Sequence, residues 1–249
     1  MTNTAKPERA FIATAALVFA ASTAVTIAWC SSMSSMPGMP WMRMPDQSWP
    51  AAVATFLGMW IVMMIAMMLP ALAPMLLRYQ RAVNAVGAPR LAGLTIVVAV
   101  AYFLVWAAFG LAVYPVGIAL AETVMTRPSL ARMTPLALGL VVMIAGLLQF
   151  SAWKARQLAC CRATPAQDLR ADSRTAFRHG LLLGIRCSRC CLGLTAILFS
   201  LGVMDLRAMA MVTAAIGLER HSPAGYRLAH LTGALAALAG LWVIVRTAL

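Results

Sequence analysis

The sequence predicts an all-α, polytopic helical membrane protein, with six or seven transmembrane helices in one bundle. Three observations carry that prediction. The 249-residue chain is 62% hydrophobic and 11% charged, against about half and about a quarter in an average soluble domain. Its apolar residues fall in runs near the roughly 20 residues that cross about 30 Å of hydrocarbon. Its 20 Lys and Arg outnumber 7 Asp and Glu and collect between alternate runs. A chain this apolar cannot cover itself with polar surface, which excludes a soluble enzyme, a disordered chain and, with six cysteines, a disulfide scaffold. The formal charge of +13 would suggest nucleic acid in a soluble protein. Beside these runs it indicates the cytoplasmic face of a membrane, and no nucleic-acid partner is expected.

In chain order the expected spans are 10–30, 51–77, 91–120, 135–153, 181–203, 207–219 and 229–247. The first has Lys6 and Arg9 before it but no A-x-A exit, so it reads as a span rather than a cleaved leader. The sixth is short, bracketed by Arg207 and Glu219, and its inclusion decides between seven spans and six. With seven spans and the N-terminus inside, the inner segments carry 13 Lys and Arg and the outer segments 5. That asymmetry predicts a cytoplasmic N-terminus in a bacterial inner membrane. The whole chain, 1–249, reads as one transmembrane domain in the lipid bilayer, with a Met-rich outer loop at 31–50 and a basic, Cys-containing inner loop at 154–179. On the last span, Gly233, Ala237 and Gly240 suit close helix packing.

Five cysteines form two clusters, Cys160-Cys161 and Cys187-x-x-Cys190-Cys191. Both are expected at the cytoplasmic face, where disulfides are disfavoured. Positions 187, 190 and 191 share one helical face. A helix N-terminus and the adjacent Arg186 and Arg189 would favour thiolates there. Three such sulfurs, joined by Cys160 and Cys161, suit a soft metal ion, Cu(I) first and Zn(II) second. The competing reading is that cysteines are small hydrophobes that pack well; for the isolated Cys30 it is preferred. His179 lies about 16 Å along a helix from Cys190 and is read as interfacial.

Methionine supplies a second soft donor. Met33, Met36, Met39, Met42 and Met44 crowd the outer loop; Met59, Met63 and Met67 repeat at i, i+4, i+8 on the second span, with Met64 and Met68 as a second stripe. Neutral thioethers bind Cu(I) without a charge to desolvate, although buried Met also fills gaps. The expected ligand set is therefore Cys187, Cys190, Cys191, Cys160 and Cys161 with Met63, Met64, Met67, Met68, Met36 and Met39. Pro70 and Pro74 free carbonyls near Ala66 and Pro70. Glu219 with His221 forms a weaker candidate site. No phosphate loop, phosphorylation motif, Ser-His-Asp set or H-E-x-x-H is present, so an enzyme is not favoured.

The run Gly58 to Pro70, G-M-W-I-V-M-M-I-A-M-M-L-P, followed by Ala73-Pro74-Met75, resembles the hallmark of an uncharacterised bacterial family described as predicted metal-binding integral membrane proteins. Gln149, Lys154, Cys161-Arg162, Gly184, Cys187, Cys190-Cys191, Gly202-Val203-Met204 and Glu219 fall where that family's later motifs are expected, so the resemblance covers about residues 55–246. The chain departs from the pattern at Gln157, where the family has its first loop cysteine, at Leu183, where it has His, and at Arg189, where it has Gly. The resemblance implies metal binding. Three functions follow: a protein that binds, translocates or delivers copper, partnered by a metallochaperone or a membrane complex; a thiol oxidoreductase using Cys187 and Cys190; and a structural or assembly subunit.

Overall fold

The computed structural model describes residues 5–33, 47–84, 91–162 and 172–248. Among them are eight helices and no strand: α1 (Ala5–Met33), α2 (Trp49–Asn84), α3 (Leu91–Thr126), α4 (Pro128–Leu148), α5 (Ala152–Arg162), α6 (Ser173–Leu201), α7 (Leu206–His221) and α8 (Gly225–Ala248). Six of these, all but α5 and α7, are long and apolar enough to cross a membrane.

Small residues set the helix pairings. Gly180 and Gly184 of α6 lie against Val98, Ala101 and Tyr102 of α3, with residue numbers rising together, so α3 and α6 run parallel. Gly146 of α4 meets Gly233 and Ala237, and Gly240 meets Gly139 and Met143, so α8 runs antiparallel to α4, with the small residues of the last span in a close helix contact. Helix α2 forms the centre. Its Trp60 is fully buried, donates to the Trp106 carbonyl at 2.8 Å and stacks on Phe199. At one end Arg81 pairs with Glu8 at 2.9 Å and Tyr79 stacks on His179; Arg78, Arg174 and Arg178 make this the basic end.

Most helices run several residues past the expected spans, and some of the differing boundaries have a local reason. The span expected over 135–153 stops at Leu148. There Gln149, Phe150 and Ser151 donate to carbonyls three residues back, tightening the last turn before α5 begins. The expected inner loop therefore contains α5 and the start of α6. Helix α6 begins at Ser173 rather than 181, because Asp172 caps it by accepting from the Thr175 amide at 3.1 Å. The chain leaves α6 through Gly202, whose φ of +113° favours glycine, and Asp205 then caps α7 by accepting from the Arg207 and Ala208 amides. At 16 residues α7 is about 24 Å long. Pro70 and Pro74 do not interrupt α2.

Candidate metal centre

The Cys187, Cys190 and Cys191 triad occupies the middle of α6, 14 residues from either end for Cys187. The helix N-terminus expected to charge these sulfurs is thus about 21 Å away. Arg186 and Arg189 are both exposed, so neither supplies the cation. The i, i+3, i+4 spacing does act as expected: all three thiols are buried on one face.

The charges come from other helices. Cys187 Sγ accepts from Tyr102 Oη of α3 at 2.9 Å and from Arg220 Nη1 of α7 at 3.0 Å. It lies 3.8 Å from Cys191 Sγ. A sulfur facing two strong donors is in the acceptor role that a thiolate fills. The second guanidinium nitrogen, Arg220 Nη2, reaches Met75 Sδ at 3.2 Å. From α5, Cys161 enters beside Cys190, its sulfur 3.1 Å from the Arg186 carbonyl. That contact with Cys190, together with burial, pushes the Cys161 thiol well above its ordinary pKa. Cys161 is therefore the protonated, donating member of its pair.

Beneath the sulfurs lies a buried ion pair. Lys154 Nζ is 2.7 Å from Glu219 Oε2 and donates to the Cys190 carbonyl at 2.9 Å. Glu219 Oε1 accepts from Gln149 Nε2 at 3.1 Å and Thr232 Oγ1 at 2.8 Å. Burial disfavours the Lys154 ammonium, but Cys190 and Glu219 outweigh it and raise the pKa above the usual lysine value. One network thus joins α4, α5, α6, α7 and α8. Glu219 and His221 do not form a site together, since His221 is directed to the Pro70 carbonyl. That carbonyl is the one Pro74 leaves without its helical donor.

Of the expected ligands, Cys161, Cys187, Cys190 and Cys191 are brought together, while Cys160, next to buried Cys161 on α5, is exposed. Met63, Met64, Met67 and Met68 are buried along α2. Met36 and Met39 lie outside the described residues. Among the described residues, no three His, Cys, Asp or Glu side chains group closely enough to cage a metal ion; the thiols run in a file, Cys161 beside Cys190, Cys190 beside Cys191 and Cys191 beside Cys187. Sequence reasoning missed Arg220 and Tyr102 as partners of Cys187. The available signal was a Glu219-Arg220 pair ending an apolar stretch, since ionisable residues at such depth mark function by default.

A family model described as copper chaperone, PpoB2, matches residues 57–243, three quarters of the chain. The chain belongs to this copper chaperone family. The matched region contains all four clustered cysteines, the Lys154–Glu219 pair and Arg220, and leaves out Cys30 and the loop methionines. No curated protein and no solved structure matches the chain.

Proposed function

We propose that this chain is an integral membrane protein that takes up Cu(I) on the sulfurs of Cys187, Cys190, Cys191 and Cys161 and passes it on, its N-terminus and basic end facing the cytoplasm. The observation that carries the reading is Cys187, a buried sulfur with Arg220 and Tyr102 both aimed at it. Membership of a copper chaperone family supplies the metal. Sulfurs strung in a file rather than closed into a cage suit Cu(I), which accepts as few as two soft ligands, better than Zn(II), which asks for four. Charge agrees: Lys154, Arg220 and Glu219 sum to one positive charge, which two thiolates and one Cu(I) bring to zero. The buried Met63, Met64, Met67 and Met68 stripe offers neutral donors along α2, and Met36 and Met39 would add further thioethers to the ligand set. Leucines exposed on the bundle, such as Leu17, Leu120 and Leu238, supply the lipid-facing surface.

The test is a Cu(I) competition titration of full-length protein in detergent, beside a Cys187/Cys190/Cys191→Ser variant. The variant is expected to lose one tightly held ion per chain. Equal copper in both would overturn the ligand assignment, and no copper in either, with Cys187 and Cys190 found oxidised in cells, would favour a thiol oxidoreductase. Orientation has its own readout. Cys160 is exposed on α5, so an impermeant maleimide should reach it only from the cytoplasmic side; labelling in intact cells would reverse the topology.

A further inference from the structure

Cys30 was expected to be a packing residue, alone near the other end of the bundle. Its surroundings are unusual for that role. It is 3% exposed in the last turn of α1, and its sulfur lies 3.7 Å from Met204 Sδ, in the turn between α6 and α7. That turn is fixed by Gly202 on one side and by the Asp205 cap on the other. Between these sulfurs and α2 is a cavity of about 10 Å³ lined by Thr26, Trp29, Cys30, Met59, Met63 and Met204. Four of the six lining residues carry sulfur, contributed by three separate parts of the chain.

The size and lining of the space narrow what could fill it. Its volume is close to one water-sized sphere. A water would need two to four polar partners, but the Thr26 hydroxyl already donates to the Ser22 carbonyl at 2.8 Å. Left empty, the space forfeits packing contacts among its lining residues. One thiol and three thioethers around a one-ion space match a monovalent soft cation. Met59 and Met63 also begin the buried Met stripe of α2, which runs to Met68; further along the same helix the half-buried Met75, about 24 Å from Met59, touches Arg220 at the thiol centre.

We infer that Cys30, Met59, Met63 and Met204 form a second Cu(I) site, at the opposite end of the α2 methionine stripe from the thiol centre. Binding exchanges the Cys30 thiol proton for the metal, with the proton released to solvent, so that thiolate and Cu(I) leave the pocket neutral. The inference rests on the copper reading for the identity of the ion and on the pocket for its existence.

Ag(I), a redox-inert stand-in for Cu(I), tests it on full-length protein in detergent. A variant with the other five cysteines changed to Ser should keep one Ag(I) per chain and lose it when Cys30→Ala and Met204→Leu are added. In the wild type, Ag(I) should slow alkylation of Cys30 by N-ethylmaleimide at least about tenfold, a readout that does not depend on how the variants fold. A Cys30-only variant without Ag(I), together with unchanged Cys30 alkylation in the wild type, would overturn the site and leave the thiol centre intact. If the wild type and the Cys30-only variant hold equal silver that Cys30→Ala removes, the thiol-centre reading fails and this one stands.

Discussion

The thiol centre and the Cys30 pocket use the same element but opposite electrostatics. Around Cys187 and Cys190 the chain has buried Lys154, Glu219 and Arg220, with the Lys154 and Glu219 side chains 3% and 2% exposed. Around Cys30 the lining is thiol, thioether, hydroxyl and indole, with no charged group. Burying ions costs several kcal/mol each and is offset only by close partners. On the copper reading, fixed charges would favour a particular count of thiolates and metal charge at the thiol centre. The neutral pocket carries no such requirement. The comparison teaches that one bundle buries sulfur in two ways, among fixed charges at one end and among neutral groups at the other.

The largest effect that sharpens this contrast is expected at Glu219. Changing Glu219→Ala leaves the Lys154 ammonium buried without its carboxylate, a loss of about 3–5 kcal/mol. Thermal unfolding in detergent should show it, with Lys154→Met combined with Glu219→Leu recovering most of the loss. The same pair has a pH signature. Because the Lys154 pKa is raised in the folded chain, its contribution is complete below the ordinary value of 10.5 and is lost as pH rises through the higher folded value. Met204→Leu at the other end should lower copper occupancy of the pocket with little change in unfolding.

Next in size is the α4–α8 contact that holds this network together. A Cβ at Gly146 would lie 2.5 Å from the Ala237 amide nitrogen and 2.7 Å from the Gly233 carbonyl. Both atoms are backbone, so the helices must separate. Gly146→Ala should cost about 1–3 kcal/mol and weaken copper binding at the thiol centre, because Thr232 of α8 and Gln149 after α4 both hold Glu219. Copper at Cys30 should be unaffected. Equal loss at both sites would mean that the two ends are not independent.

How much of this was legible in the sequence follows from the range over which each feature is determined. Apolar length located every long helix, and i, i+3, i+4 spacing put three cysteines on one face, since both are local. Small residues on the last span foretold a close helix contact for the same reason, but not that α4 would be the partner. The boundary at Leu148 was missed because hydropathy runs on past it, and only the tightened turn at Gln149 marks the break. The charges of the thiol centre were misassigned to Arg186 and Arg189, neighbours in sequence that point away. Their true source, Arg220, comes from another helix, and no periodicity reports that. Cys30 was read as isolated because its partner Met204 is 174 residues away.

Arg220 should therefore matter more to copper than either arginine beside the cysteines. Arg220→Gln removes the donor to Cys187 and the contact with Met75, and should weaken Cu(I) binding about 10–100-fold, as loss of a group orienting a ligand commonly does. Arg220→Lys should not restore it, since a single ammonium cannot serve two sulfurs in a forked geometry. Arg186→Gln and Arg189→Gln are expected to change affinity little. Wild-type affinity in Arg220→Gln would return the thiolate-stabilising role to groups outside α7.

The smallest effect isolates one hydrogen bond. Tyr102 is fully buried on α3, its ring edge-on to Phe103 with centroids 5.1 Å apart, and its hydroxyl donates to Cys187 Sγ. Tyr102→Phe keeps the ring, its packing and the approach of Gly184 to the Tyr102 carbonyl, removing only the donor. Stability should change by no more than about 1 kcal/mol, because the sulfur keeps Arg220 and no polar group is orphaned. Copper affinity should fall by up to about tenfold, since a charge-assisted hydrogen bond to the ligand sulfur is lost. Ag(I) protection of Cys30 should be identical to wild type. A fall in copper affinity with unchanged unfolding and unchanged Cys30 protection assigns the hydroxyl to the metal ligand rather than to the fold. Unfolding that weakens as much as binding would make Tyr102 a packing residue and leave Arg220 as the sole organiser of Cys187.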